Sequence, residues 1–134
     1  MNEALTALLL AHAPLTDLVG NRVHWGIQPR EVRGLPYLNL STVSDPRDYH
    51  FGGPTCFRLT QIQVDTWAES FGAADAVLAA LEGRLSGYRG IAHGIQFFGV
   101  FLVAARDLTP PATDGKPQLF RRSVDFNFGW AQEA

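Results

Sequence analysis

The spacing of apolar and polar residues changes rhythm once in this chain, between residues 57 and 87, and that change predicts its central pair of elements. Ile62 and Val64 alternate with Gln61, Gln63 and Asp65, the period of two of a half-buried strand that Trp67 closes. Beyond it Phe71, Ala74, Val77, Leu78, Leu81 and Leu85 recur every three or four positions and share one face of a helix. Ser70 is placed to cap the start of that helix and Gly87 to end it. Burying its five large apolar side chains is worth roughly 1.5–3 kcal/mol each before entropy is subtracted. This helix is therefore expected to cover the core, with the remaining strands paired around residues 57–67.

The flanking segments follow the same logic. A first helix opens at Asn2 or Glu3 with Leu5, Leu8 and Leu9 as its apolar positions, and Pro14 interrupts it. A second short turn over residues 15–19 ends at Gly20. Val23, Trp25 and Ile27 alternate with Arg22, His24 and Gly26 and predict a strand over residues 22–27. Another strand runs from Pro36 through Val43 with Leu38 and Leu40 on one face. Residues 44–54 hold Asp45, Pro46, Gly52, Gly53 and Pro54, and read as a long loop whose tip carries Arg47, Asp48, Tyr49, His50 and Phe51. Residues 87–94 form a glycine-rich connection.

Residues 95–107 read as a strand that is apolar on both sides. Ile95, Phe97, Phe101 and Val103 fall on one face and Phe98, Val100 and Leu102 on the other. A single helical layer covers only one face of a sheet, so the second face needs the N-terminal helix or a neighbouring subunit. A solvated loop follows over residues 109–117, with Pro110, Pro111, Gly115, Lys116 and Pro117. Residues 119–130 then return as the antiparallel partner, where Phe120, Val124, Phe126, Phe128 and Trp130 alternate with Arg121, Ser123, Asp125 and Asn127. The expected fold is α+β: a mainly antiparallel sheet of about five strands, one long helix packed on it and an N-terminal helix, in one domain spanning residues 1–134.

Composition narrows the function classes. A chain of 134 residues with 46% hydrophobic and 18% charged content is an ordinary globular sequence, not a disordered one. Its formal net charge of −2 supplies no long-range attraction for nucleic acid or an anionic membrane. The apolar run at residues 5–13 lacks a basic leader and follows Glu3, and the run at residues 97–105 is far short of the roughly 20 residues of a membrane-spanning helix. Neither export nor membrane insertion is expected. One cysteine, Cys56, excludes an internal disulfide, and a lone thiol beside a strand reads as a small core residue. His12, His24, His50 and His93 stand far apart with no metal-ligand spacing, no serine sits in a nucleophile elbow, and the glycines after residue 87 follow a helix and do not open one. Asp65 and Glu69 read as a solvated strand end and a helix-start charge. No catalytic, metal or cofactor residues are expected. Arg58, Thr60, Gln61, Gln63 and Asp65 offer hydrogen-bonding groups without reactive character, either as plain surface or as one side of a wet subunit contact.

Four phrases in order carry a family resemblance: Leu15-Thr-Asp-Leu-Val-Gly20 followed by Arg22-Val23, Leu35-Pro-Tyr-Leu38, Val64-Asp-Thr-Trp-Ala68, and Phe120-Arg-Arg-Ser-Val-Asp-Phe126. Together they resemble the tail-completion, or tail-terminator, proteins of long-tailed bacteriophages and gene transfer agents. The resemblance implies a structural virion subunit, not an enzyme, that forms a closed and usually hexameric ring at the head-proximal end of the tail tube. Its partners would be other copies of itself, the tail tube protein and the head-completion (stopper) protein, with DNA crossing the lumen unbound and no membrane involved. Contacts would then fall on residues 47–51, on Arg58, Gln61, Gln63 and Asp65, on Phe98 and Val100, and on Lys116. The long loop over residues 44–54 matches no fixed family phrase. A head-side connector and a small-ligand module with a pocket under the helix are the alternative readings, and a hydrolase using His50 or Cys56 ranks last.

Overall fold

Leu5, Leu8 and Leu9, with Ala4, are the buried stripe of the first helix, α1 (Asn2–Leu10). Pro14 sits in the first turn of α2 (Ala13–Val19), where its missing amide costs nothing, and Gly20 closes it at φ +60°. The computed structural model describes residues 1–26, 34–54, 56–112, 114–115 and 117–133. Ile27 and residues 28–33 lie outside the described residues, as does Lys116.

Strands β1 (Val23–Trp25) and β2 (Tyr37–Ser44) pair in parallel, and β2 then runs antiparallel to β5 (Arg58–Ala68). Between them lies a hairpin of β3 (Tyr49–His50) and β4 (Gly53–Pro54). The third helix, α3 (Phe71–Leu85), leads to β6 (Gly90–Ala92), β7 (Ile95–Asp107) and β8 (Phe120–Gln132). The main sheet has six strands in the order β1-β2-β5-β8-β7-β6, and all pairings but the first are antiparallel.

Two expectations about this layout are corrected. Six strands replace five because glycines on both sides hid β6. Among the described residues three helices, not one with an N-terminal companion, form the covering layer, because α2 is a full element. The breaker-rich loop also contains order: the β3–β4 hairpin turns at Phe51–Gly52, where Gly53 adopts φ +123°, a conformation other residues rarely take.

All three helices lie on one face of the sheet. Val77, Leu78, Leu81 and Leu85 from α3 join Leu5, Leu8 and Leu9 from α1 and Leu15 and Val19 from α2 in one core with Leu38, Leu40, Ile62, Val64, Val124, Phe126 and Phe128. The Ser70 hydroxyl accepts a hydrogen bond from the Ala73 amide at 3.1 Å, the cap expected from sequence. At the other end Gly87, at φ +78°, donates its amide to the Val100 carbonyl at 2.8 Å and fastens α3 to β7. Arg84 ties α3 to α1 through the Leu8 carbonyl, and Trp25 Nε1 donates to Thr6 Oγ1 at 2.9 Å to tie β1 to α1. Phe71 departs from the expected stripe. It is half exposed at the helix start, and the Arg122 guanidinium lies 5.1 Å from its ring centre.

Strand β7 corrects the expected faces. Two β-bulges interrupt its pairing with β8, inserting Phe98 and Val103. The first bulge shifts the parity, so Val100 follows Ile95 and Phe97 into the core and Phe101 swings to the far side. The N-terminal helix shares the layer of α3, so it does not cover that far side.

Candidate functional site

The candidate residues separate into three places. The first is the root of the hairpin. Arg58 and Thr60 lie on the helix side of β5, in step with Ile62 and Val64, and not with Gln61, Gln63 and Asp65 as a single polar face would require. Trp130, opposite Arg58 on β8, donates its indole N–H to Thr60 Oγ1 at 2.9 Å, and Thr60 donates in turn to Asp45 Oδ1 at 3.0 Å. Arg58 pairs with the other oxygen of Asp45 while its guanidinium lies 4.6 Å from the Trp130 ring centre. Arg47 adds a third contact to Asp45 at 2.9 Å. Burial pushes the Asp45 carboxyl up, but the hydrogen bonds from Arg47, Thr60 and Arg58 outweigh it and hold the carboxyl below its ordinary value. This network anchors a hairpin that carries Tyr49, three-quarters exposed, and Phe51, fully exposed, at its tip. Sequence reasoning named Thr60 only as a surface hydrogen-bonding group and missed its partners Asp45 and Trp130. The Arg-x-Thr spacing on β5 was the one signal, and it becomes informative only once Trp130 is known to lie opposite.

An open cleft of about 630 Å³ adjoins this root, bounded by the start of α1, the Arg58–Thr60 end of β5 and the ends of β7 and β8. It lies at one end of the sheet, not under α3, where the alternative small-ligand reading would place its pocket. Its charged lining is dominated by Glu3, Asp45 and Glu133, and its arginine, Arg58, is already paired.

The second place is the sheet face turned away from the helices. Asp65 is buried there, where Arg121 at 3.0 Å and the Gln63 amide at 3.1 Å close over it. Asp125 is covered in the same way by Arg106 at 2.8 Å. The pairing raises the Arg106 pKa, chiefly through the Asp125 hydrogen bond. Asp65 is thus an internal partner and not the solvated strand end that the sequence suggested, and Gln63 is committed to it. Gln61 remains half-buried beside them.

The third place is the apolar end of the same face, running onto β7. The Phe57 and Phe101 rings lie over Gly129 and Gly99, filling space that side chains at those glycines would occupy, and Phe57 packs on Phe98 with ring centres 5.7 Å apart. Phe98 and Phe101 on this face, the bulged Val103 beside them, and Leu102, which lies opposite Phe126 on the helix side, nevertheless keep between a third and two-thirds of their surface exposed. Val100, expected beside Phe98, is fully buried and offers no side-chain surface to a partner. Cys56, just before β5, is exposed, contrary to its reading as a small core residue. Among the described residues no group of three or more histidine, cysteine or acidic side chains could hold a metal ion. Among the described residues no helix is long and apolar enough to cross a membrane.

The family described as Tail completion protein gp17 matches residues 3–129, and the chain belongs to it. Its fold is that of a chain in the virion of a native gene transfer agent (GTA) particle, with a TM-score of 0.76 at 20% identity over 98% of this chain and 94% of that one. No curated protein matches the sequence.

Proposed function

We propose that this tail completion protein closes into a ring, hexameric as its family implies, at the head-proximal end of a phage-like tail tube. There it stops tube growth and joins tail to head, by binding and geometry instead of catalysis. Its place is then in the virion, after assembly in the bacterial cytoplasm, with the tube protein on one side, the stopper protein on the other and DNA crossing the lumen unbound.

One observation carries this reading. The chain holds two unlike uncovered apolar surfaces at different corners of one sheet: the hairpin tip beyond the Arg58 end, and the outer half of β7 beside residues 121–127. Unlike patches meet head to tail, and a head-to-tail contact repeated around a closing rotation makes a ring. The shielded carboxylates of the outer face and the mild net charge suit a channel that must not grip a passing polyanion.

The test is assembly of tail tubes from purified tube protein with and without this chain, with lengths measured in negative-stain images. Capped tubes of limited length, bearing a terminal ring with a central hole, are expected. Unlimited tube growth together with binding to isolated heads would overturn the reading in favour of a head-side connector.

A further inference from the structure

The outer half of β7 is bare in three directions at once. Strand β6 covers only Ile95–Phe97 of it, and beyond the Gly87 contact to Val100 no described residue bonds to its free edge. Residues 101–107 are exposed or half-exposed throughout, on both faces. An edge strand of this kind, carrying Phe101, Leu102 and Val103, is a template for a further strand, which soluble proteins normally blunt or cover.

From these features we infer that the edge accepts the β3–β4 hairpin of the next copy of this chain, an inference that rests on the ring reading above. Three observations select that occupant. The first is size. The exposed parts of Phe98, Phe101, Leu102, Val103 and Leu108 amount to about 400 Å² and those of Tyr49 and Phe51 to about 350 Å², so the two apolar surfaces match. Their sum is roughly half of a standard subunit contact, leaving the remainder to flanking polar residues.

The second is shape. The bulge at Val103 kinks the edge, which hinders pairing with a long straight strand but leaves room for one as short as β3. On the hairpin, β4 ends in Pro54, which has no amide to donate, so β3 is the side able to complete the ladder. The third is placement. The hairpin is rooted where β5 begins, whereas the bare half of β7 lies beyond β8 toward the end of β5. One chain presents both halves of the contact at separate corners, as a closing head-to-tail ring requires.

The experiment is disulfide trapping in assembled full-length protein, in solution or on tube tips, with Cys56→Ala as the background. Tyr49→Cys combined with Val103→Cys should give on oxidation a covalent ladder ending at the ring size. Each single variant should stay monomeric on a non-reducing gel. Rings in the micrographs with no ladder would overturn this pairing while leaving the ring reading intact. Dimers from Val103→Cys alone would overturn it in favour of β7 meeting β7. Failure to see rings under any condition would overturn both readings. A second pair of variants, Tyr49→Ala with Phe51→Ala and, separately, Val103→Lys, should each lower ring yield at least tenfold with an unchanged melting temperature. Wild-type yield from either would also overturn the pairing.

Discussion

Leu81 and Phe71 stand on the same stripe of α3 by sequence periodicity, yet the structure gives them opposite surroundings. Leu81 is fully buried in the core, whereas Phe71 is half exposed at the helix start. Leu81→Ala removes three carbons, a transfer loss of about 2.4 kcal/mol at ~0.8 kcal/mol for each. A residual cavity of about 50 Å³ adds about 1.2 kcal/mol. The sum, about 3.6 kcal/mol, sits mid-range for leucine truncations in packed cores. With an unfolding entropy near 2.1 cal/mol/K per residue over 134 residues, it lowers the melting temperature by about 13 °C. Phe71→Ala forfeits a half-buried ring and one exposed contact with Arg122, together under about 1.5 kcal/mol. Urea unfolding followed by helix dichroism measures both, and the slope with denaturant should stay constant. Equal losses for the two variants, or a loss below 1 kcal/mol for Leu81→Ala, would refute the docking of α3 described above.

Ser70→Ala leaves the Ala73 amide without its side-chain partner and should cost about 1 kcal/mol in the same assay. Glycine at that position should cost only a few tenths of a kcal/mol. Asp45 predicts a pH dependence with a definite sign. Its folded pKa lies below the unfolded value, so its stabilisation is complete above the unfolded value and fades as pH falls through the folded one. The hairpin root should therefore loosen below about pH 4, seen as faster amide exchange over residues 45–54. Asp45→Asn should remove that acid step, and an unchanged profile in the variant would show that another group controls it.

The elements that were legible in the sequence are those where one physical rule acts alone. Periodicity located α1, β5, α3, β7 and β8, and the glycine and proline positions marked most of their ends, because an apolar stripe with a capped terminus has few other solutions. The losses came where two rules compete. Strand β6 and the β3–β4 hairpin are two or three residues long and include or adjoin glycines and a proline that usually break strands, and only pairing with a neighbouring segment makes them strands at all. In β7 the alternation is real but is broken twice, and a bulge leaves no local mark in a run as apolar as residues 97–103.

The same competition explains why the candidate site was only half visible. Asp65 and Asp125 carry the charge of a solvated face, but their burial is decided by arginines on neighbouring strands, Arg121 and Arg106, which no local pattern connects to them. Arg58 is expected as a contact residue, and the structure adds an internal role: its guanidinium is held between Asp45 and Trp130 and positions the hairpin. The polar candidates are therefore mostly spent inside the chain. What stays uncovered is apolar: the hairpin tip and the outer half of β7. In a subunit that must assemble, polar networks that close on themselves fix where the sticky surfaces point, and the unsatisfied apolar ones are left to choose the neighbour. Substitutions in the Asp45–Thr60–Trp130 network should accordingly weaken assembly by misdirecting Tyr49 and Phe51, without removing a single atom from the proposed contact.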